Sequence, residues 1–158
     1  MRVTVISYSK VLDHGIEHTA LKVKGDSAHE VLRCQRPHQI LYELANVGQP
    51  ITLLDLHGHG GPGFMNLGDD RFVDWRWRGM ATLTPLRPYL AADAKVRLLG
   101  CHTALGEEGR ELLVRSSAEL GGLLVYGTLV ELLPRHFEER GLSAGFASRW
   151  LQCSGDLG

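Results

Sequence analysis

Four short apolar runs constrain this chain more than any other feature: RVTVISYS (Arg2 to Ser9), ITLLDLHG (Ile51 to Gly58), KVRLLG (Lys95 to Gly100) and LLVYG (Leu123 to Gly127). The first is β-rich and bounded by polar residues, the second is too short and too apolar for a surface helix and reads as a central strand, the third reads as another buried strand, and the fourth as the next strand. Segments of helical spacing separate them. Ile40, Leu41, Leu44 and Ala45 recur at helical intervals between Pro37 and Gly48. Thr84-Pro85 is a helix start, with Thr84 as cap, Pro85 in the first turn, and Leu86 and Leu90 facing inward. Glu107 and Glu108 suit the positive end of a helix that runs to about Leu120, buries Leu112, Leu113 and Ser116, and stops at Gly121-Gly122. Strands alternating with helices predict an α/β fold: a three-layer α/β/α sandwich with a mostly parallel central sheet. Three smaller elements complete the reading. ALKVKG (Ala20 to Gly25) alternates like an edge strand, Asp26 or Ser27 caps a helix through Val31 and Leu32, and FMNLGDD (Phe64 to Asp70) is a short strand and turn. Beyond Tyr126 the chain mixes loop with one short helix around Phe146 and Trp150.

With 158 residues the expectation is one domain, residues 1–158. The net charge is -1 and the signs are interspersed, which argues against a nucleic-acid partner. No run of about 20 apolar residues exists, so no membrane span is expected. The amino-terminal MRVTVISYSK is too short and polar for a signal peptide. Cys34, Cys101 and Cys153 are odd in number, far apart and without a CxxC pair. That points to a reducing compartment, the cytoplasm or a host cytosol if the protein is an effector. Cys34 is placed on a helix and Cys153 in the tail, both structural. His14, His18, His29, His38 and His136 are expected at the surface. Trp75 and Trp77 alternate with Arg76 and Arg78, as on a half-exposed strand first of all, with a partner contact or part of a substrate groove as the alternatives.

Two expected strands carry unusual ends. One ends in His57-Gly58-His59-Gly60, the other in Gly100-Cys101-His102. In parallel sheets ligands bind beyond the carboxyl ends of the strands, so both ends should open onto one rim. Gly58, Gly60 and Gly63 match GxGxxG, but Pro62, Asn66, Gly68 and two aspartates oppose the helix that a dinucleotide site needs. His57, His59, Cys101 and His102 are of zinc-ligating type, without a carboxylate or second cysteine to complete the set. A third reading pairs an imidazole with the strand-end thiol. A thiol is nucleophilic as thiolate, a nearby imidazole helps generate it, and glycines let the backbone approach a substrate carbonyl.

These residues resemble the caspase-like cysteine peptidases, in particular bacterial domains with SHGxxG and YGCxxA motifs, the CHAT domains and the toxin autoprocessing domains. The matching residues are Gly58-His59-Gly60-Gly61-Pro62-Gly63, Leu67-Gly68 and Leu99-Gly100-Cys101-His102-Thr103-Ala104, within a resemblance spanning about residues 2 to 130. The resemblance implies that His59 is the catalytic imidazole, Cys101 the nucleophile, and the Gly60 and Cys101 N–H groups the oxyanion hole. His57 and His102 would lie behind them. Leu99 and the segment Tyr126, Gly127 and Thr128 would form the first specificity pocket. Leu99 stands near where metacaspases carry Asp, and the caspase Gln is missing too. The expected P1 residue is therefore apolar or small rather than basic or Asp. The dense basic patch with which toxin domains bind inositol hexakisphosphate has no counterpart here, and no cofactor or metal is expected.

The expected function is that of a cysteine endopeptidase acting on a protein or peptide substrate. An activating partner or self-cleavage near Asp69-Asp70 or after Tyr126 belongs to the same expectation. The alternatives are a caspase-like binding or adaptor domain without turnover, and a zinc-binding module.

Overall fold

The computed structural model describes residues 1–9, 13–77 and 82–157. β1 (Arg2–Ser7) is buried from Val3 onward. α1 (His14–Lys22) follows, capped by Asp13, whose carboxylate accepts the Ile16 N–H. This helix takes up the first three residues of the expected Ala20 to Gly25 strand. Ile16, Thr19 and Val23, at helical spacing, are buried, and that face outweighs a six-residue alternation. β2 (His29–Cys34) replaces the helix expected after Asp26. Asp26 accepts the Ala28 N–H and pairs with His29 across a tight turn, which delivers Val31 and Leu32 to the sheet edge beside Thr4 and Val5. α2 (Gln39–Ala45) buries Ile40 and Leu44, as the spacing predicts.

β3 (Ile51–His57) is central. The glycine-rich stretch after it forms an antiparallel ribbon of β4 (Gly60–Gly61), β5 (Phe64–Leu67) and β6 (Asp70–Asp74). Trp75 to Trp77 lie beyond β6 in a turn rather than on a strand, because buried Asp74 binds the Arg76 amide and guanidinium and folds the chain back; Arg78 lies outside the described residues. Thr84–Tyr89 is a single 3-10 segment. Leu86 is buried as expected, whereas Leu90 already opens β7 (Leu90–Leu99). α3 (Gly106–Glu119) and β8 (Leu124–Thr128) match expectation. The carboxyl-terminal part adds a hairpin of β9 (Phe137–Glu138) and β10 (Gly141–Leu142), then α4 (Ala144–Trp150) and β11 (Leu151–Cys153).

The sheet order is β11-β8-β7-β3-β1-β2, parallel throughout except for β11. Adjacent residues of a strand face opposite sides, and the core divides accordingly. Val5 and Leu98 join the larger cluster with Ile40 and Leu44 of α2 and Leu112 and Leu113 of α3. Ile6 and Leu99 join a smaller one with Ile16 of α1, Phe137, Leu142 and Phe146 of α4. The result is a six-stranded, mostly parallel sheet between two helical layers, the expected α/β/α sandwich. In the smaller layer one charge is fully buried: Asp55, at the middle of β3, binds Arg2 from β1 and the Arg97 guanidinium from β7. Among the described residues no helix is long and apolar enough to cross a membrane.

Candidate active site

β3 and β7 are hydrogen-bonded neighbours in parallel register, with Leu56 beside Leu98 and His57 beside Leu99. Both chains therefore leave the sheet at one rim, and two residues later one carries His59 and the other Cys101. The loops touch through glycines. A Cβ on Gly100 would lie 3.0 Å from Gly60 Cα, and one on Gly60 would lie 2.9 Å from the Thr103 methyl. His59, Cys101, His57, Ile16, Thr19 and Leu132 share the lining of one cleft of about 200 Å³.

The turn after Cys101 is rigid. His102 has φ of 57°, a left-handed conformation uncommon for a residue with a side chain. The amides of His102, Thr103 and Ala104 donate to Val130 O, Thr128 Oγ1 and Thr128 O. Among the described residues the Cys101 amide has no acceptor. The Cys101 sulfur lies against the segment after β8. It accepts the Leu132 N–H at 3.3 Å and donates toward Leu132 O at 3.6 Å. That segment is tied to α1, because Lys22 Nζ donates to the carbonyls of Pro134 and Phe137.

His59 differs sharply from its neighbour. Its side chain is 63% exposed, and its Nε2 pairs with Asp13 Oδ2. Burial works against the Asp13 charge, but the Ile16 N–H and the His59 imidazole outweigh it and hold the carboxyl below its ordinary value. His57 is buried, 4.7 Å from the Phe137 ring centre, and binds Leu99 O through Nδ1 at 2.9 Å. A carbonyl only accepts, so Nδ1 carries the proton. Among the described residues Nε2 has no hydrogen-bond partner. Burial pushes the imidazole down to about 4, so His57 is neutral at physiological pH.

The chain matches no family model, no curated protein and no solved structure. Its site therefore stands on its own geometry.

Several expected site residues lie elsewhere. Leu99 has no exposed surface and packs into the smaller core, so its side chain cannot meet a substrate. Gly127 and Thr128 are buried beneath the turn, with Thr128 Oγ1 donating to Gly100 O. Tyr126 pairs with Cys153 of β11, away from the cleft. The reason is register: residues still paired in β8 are part of the sheet, and only the chain beyond Thr128 is free to cross the rim. Leu132 and Leu133, with Ile16 and Thr19 of α1, line the cleft instead. His102 stays beside the thiol turn but does not line the cleft. Asp13 escapes sequence reading as a site residue; its one signal is that of a helix cap three residues before a buried isoleucine.

Among the described residues no group of three or more His, Cys, Asp or Glu side chains converges to hold a metal. Cys34 ends β2 rather than lying on a helix; burial pushes its thiol up to about 11, which makes it inert. Cys153 belongs to β11. His14, His18 and His38 are exposed and His136 is half-buried, whereas His29 is buried and shares a 2.7 Å hydrogen bond with Thr4 Oγ1. His29 leaves the surface because its strand lies beside β1, where Thr4 offers a partner.

Proposed function

We propose that the protein is a cysteine endopeptidase of the caspase-like kind, with His59 and Cys101 as its catalytic pair. The observation that carries this reading is the convergence of imidazole and thiol on one cleft from the ends of adjacent parallel strands. Cys101 Sγ attacks the scissile carbonyl carbon, its proton passes to His59, and the carbonyl oxygen becomes an oxyanion. The unpaired Cys101 amide, with Gly60 at the facing loop, supports the oxyanion. As the C–N bond breaks, His59 returns the proton to the departing amine. Water then attacks the thioester, with His59 as base, and releases the acid and the thiol. The side chains of Ile16, Leu132 and Leu133 favour a small or apolar residue on the acyl side.

The test is cleavage of a mixed peptide library together with labelling by a peptidyl electrophile. Expected is cleavage and Cys101-selective labelling by the wild type, both lost in Cys101→Ala and both slowed in His59→Ala. Equal labelling of Cys34 and Cys101, unaffected by His59→Ala, overturns the reading. A second reading, a binding domain of the same fold without turnover, draws on the contact between the Cys101 sulfur and Leu132, in which the thiol acts as a packing group. It predicts a folded protein that leaves the whole library intact.

A further inference from the structure

We infer that Asp13 is a positioning residue that makes the His59–Cys101 pair a three-membered system; the inference rests on the peptidase reading above. The two carboxylate oxygens have separate tasks. Oδ1 accepts the Ile16 N–H at 2.9 Å and thereby caps α1, while Oδ2 meets His59 Nε2. The carboxylate is thus anchored on a helix whose Ile16 and Thr19 are buried, and it reaches from there to an imidazole on a glycine-flanked loop.

His59 needs such an anchor. Its side chain is mostly exposed, and among the described residues Asp13 is its only hydrogen-bond partner. Without it the ring is free to turn about its side-chain bonds. With Nε2–H donated to the carboxylate, Nδ1 keeps its lone pair and becomes the nitrogen that can take the thiol proton. When it does, the imidazolium retains a negative partner. The transfer balances: the S–H bond breaks, the Nδ1–H bond forms, and the electron pair stays on sulfur. α1 also holds the other half of the site, since Lys22 in its last turn fixes the segment that lies on Cys101.

The helix cap and the imidazole contact can be separated. Asp13→Asn keeps a side-chain oxygen for the Ile16 amide, because Asn caps as well as Asp, but it carries no charge. Asp13→Ser also caps and is too short to hold the ring. The assay is the rate of Cys101 alkylation by iodoacetamide, followed by peptide mass across about pH 6 to 8, where a thiolate raised by a neighbouring imidazole is distinguishable from an ordinary thiol. Expected is a loss of about ten-fold or more for both variants at the acid end of that range, with a melting temperature within about 4 °C of wild type, the share of the lost helix-end charge. In a His59→Ala background Asp13→Asn should have no further effect. Wild-type rates in Asp13→Asn and Asp13→Ser, while His59→Ala remains slow, overturn this inference and leave the peptidase reading standing. A slowing by Asp13→Asn that persists without His59 also overturns it, because the effect then runs through the helix. Equal rates in wild type and His59→Ala overturn both.

Discussion

Gly60→Ala probes the seam between the His59 and Cys101 loops. The added methyl would meet the Thr103 methyl at 2.9 Å, Phe64 O at 3.0 Å and Gly100 Cα at 3.1 Å. Unstrained carbon contacts lie at about 3.5 to 4.0 Å, so the loops must separate by roughly half an ångström or more. Two of the three neighbours are backbone atoms of paired or close-packed segments, and neither can swing aside. Overpacking of this kind costs about 1 to 3 kcal/mol. For a chain of this size about 2 kcal/mol lowers the melting temperature by about 4 to 8 °C. The functional loss should be larger in proportion, because displacement of reacting groups by about 1 Å can cost about a hundred-fold in rate. The assay pairs a thermal melt with the rate of Cys101 labelling by a peptidyl electrophile. Gly145→Ala is the control: a methyl there meets nothing within 4 Å, and the residue sits at the start of α4. A Gly60→Ala protein that melts within about 1 °C of wild type and labels at the wild-type rate would falsify the close contact of the two loops.

Three further outcomes are expected. Asp55→Ala removes a fully buried carboxylate and leaves two partly buried arginines without their partner, which should cost about 2 to 3 kcal/mol, read in urea unfolding; a loss below about 1 kcal/mol contradicts the buried network. Because His57 sits at about 4 in the folded chain against 6.5 in the unfolded one, the unfolded state binds more protons between these values, and stability falls as pH drops from about 6.5 to 4. The full effect is about 3 kcal/mol and should be missing from His57→Gln; identical pH dependence of the two proteins rules it out. Lys22→Met frees the carbonyls of Pro134 and Phe137 and should speed Cys101 alkylation about five-fold, the equivalent of one lost hydrogen bond of about 1 kcal/mol; an unchanged rate means that Leu132 does not limit access to the thiol.

The sequence by itself determined the layers and the rim. Runs such as Leu53 to Leu56 and Val96 to Leu99, apolar but for the paired Asp55 and Arg97, satisfy their backbone and bury both faces inside a covered sheet, so the sandwich was legible, and so was the position of His59 and Cys101 just past two strand ends. Short segments were not, because local preference there is weak: the alternation at Ala20 to Gly25 yielded to the helical face of Ile16 and Thr19, and Val31 and Leu32 went to an edge strand once Asp26 closed a turn. Tertiary structure alone decided what surrounds the thiol and imidazole. Asp13 reaches His59 across 46 positions and Leu132 reaches Cys101 across 31. Such contacts arise from the path of α1 and of the chain beyond β8 over the sheet, which no local pattern encodes. The same path explains the misplaced pocket: Leu99, Gly127 and Thr128 lie near the thiol in sequence or register, but sheet pairing turns them into the floor of the site rather than its walls.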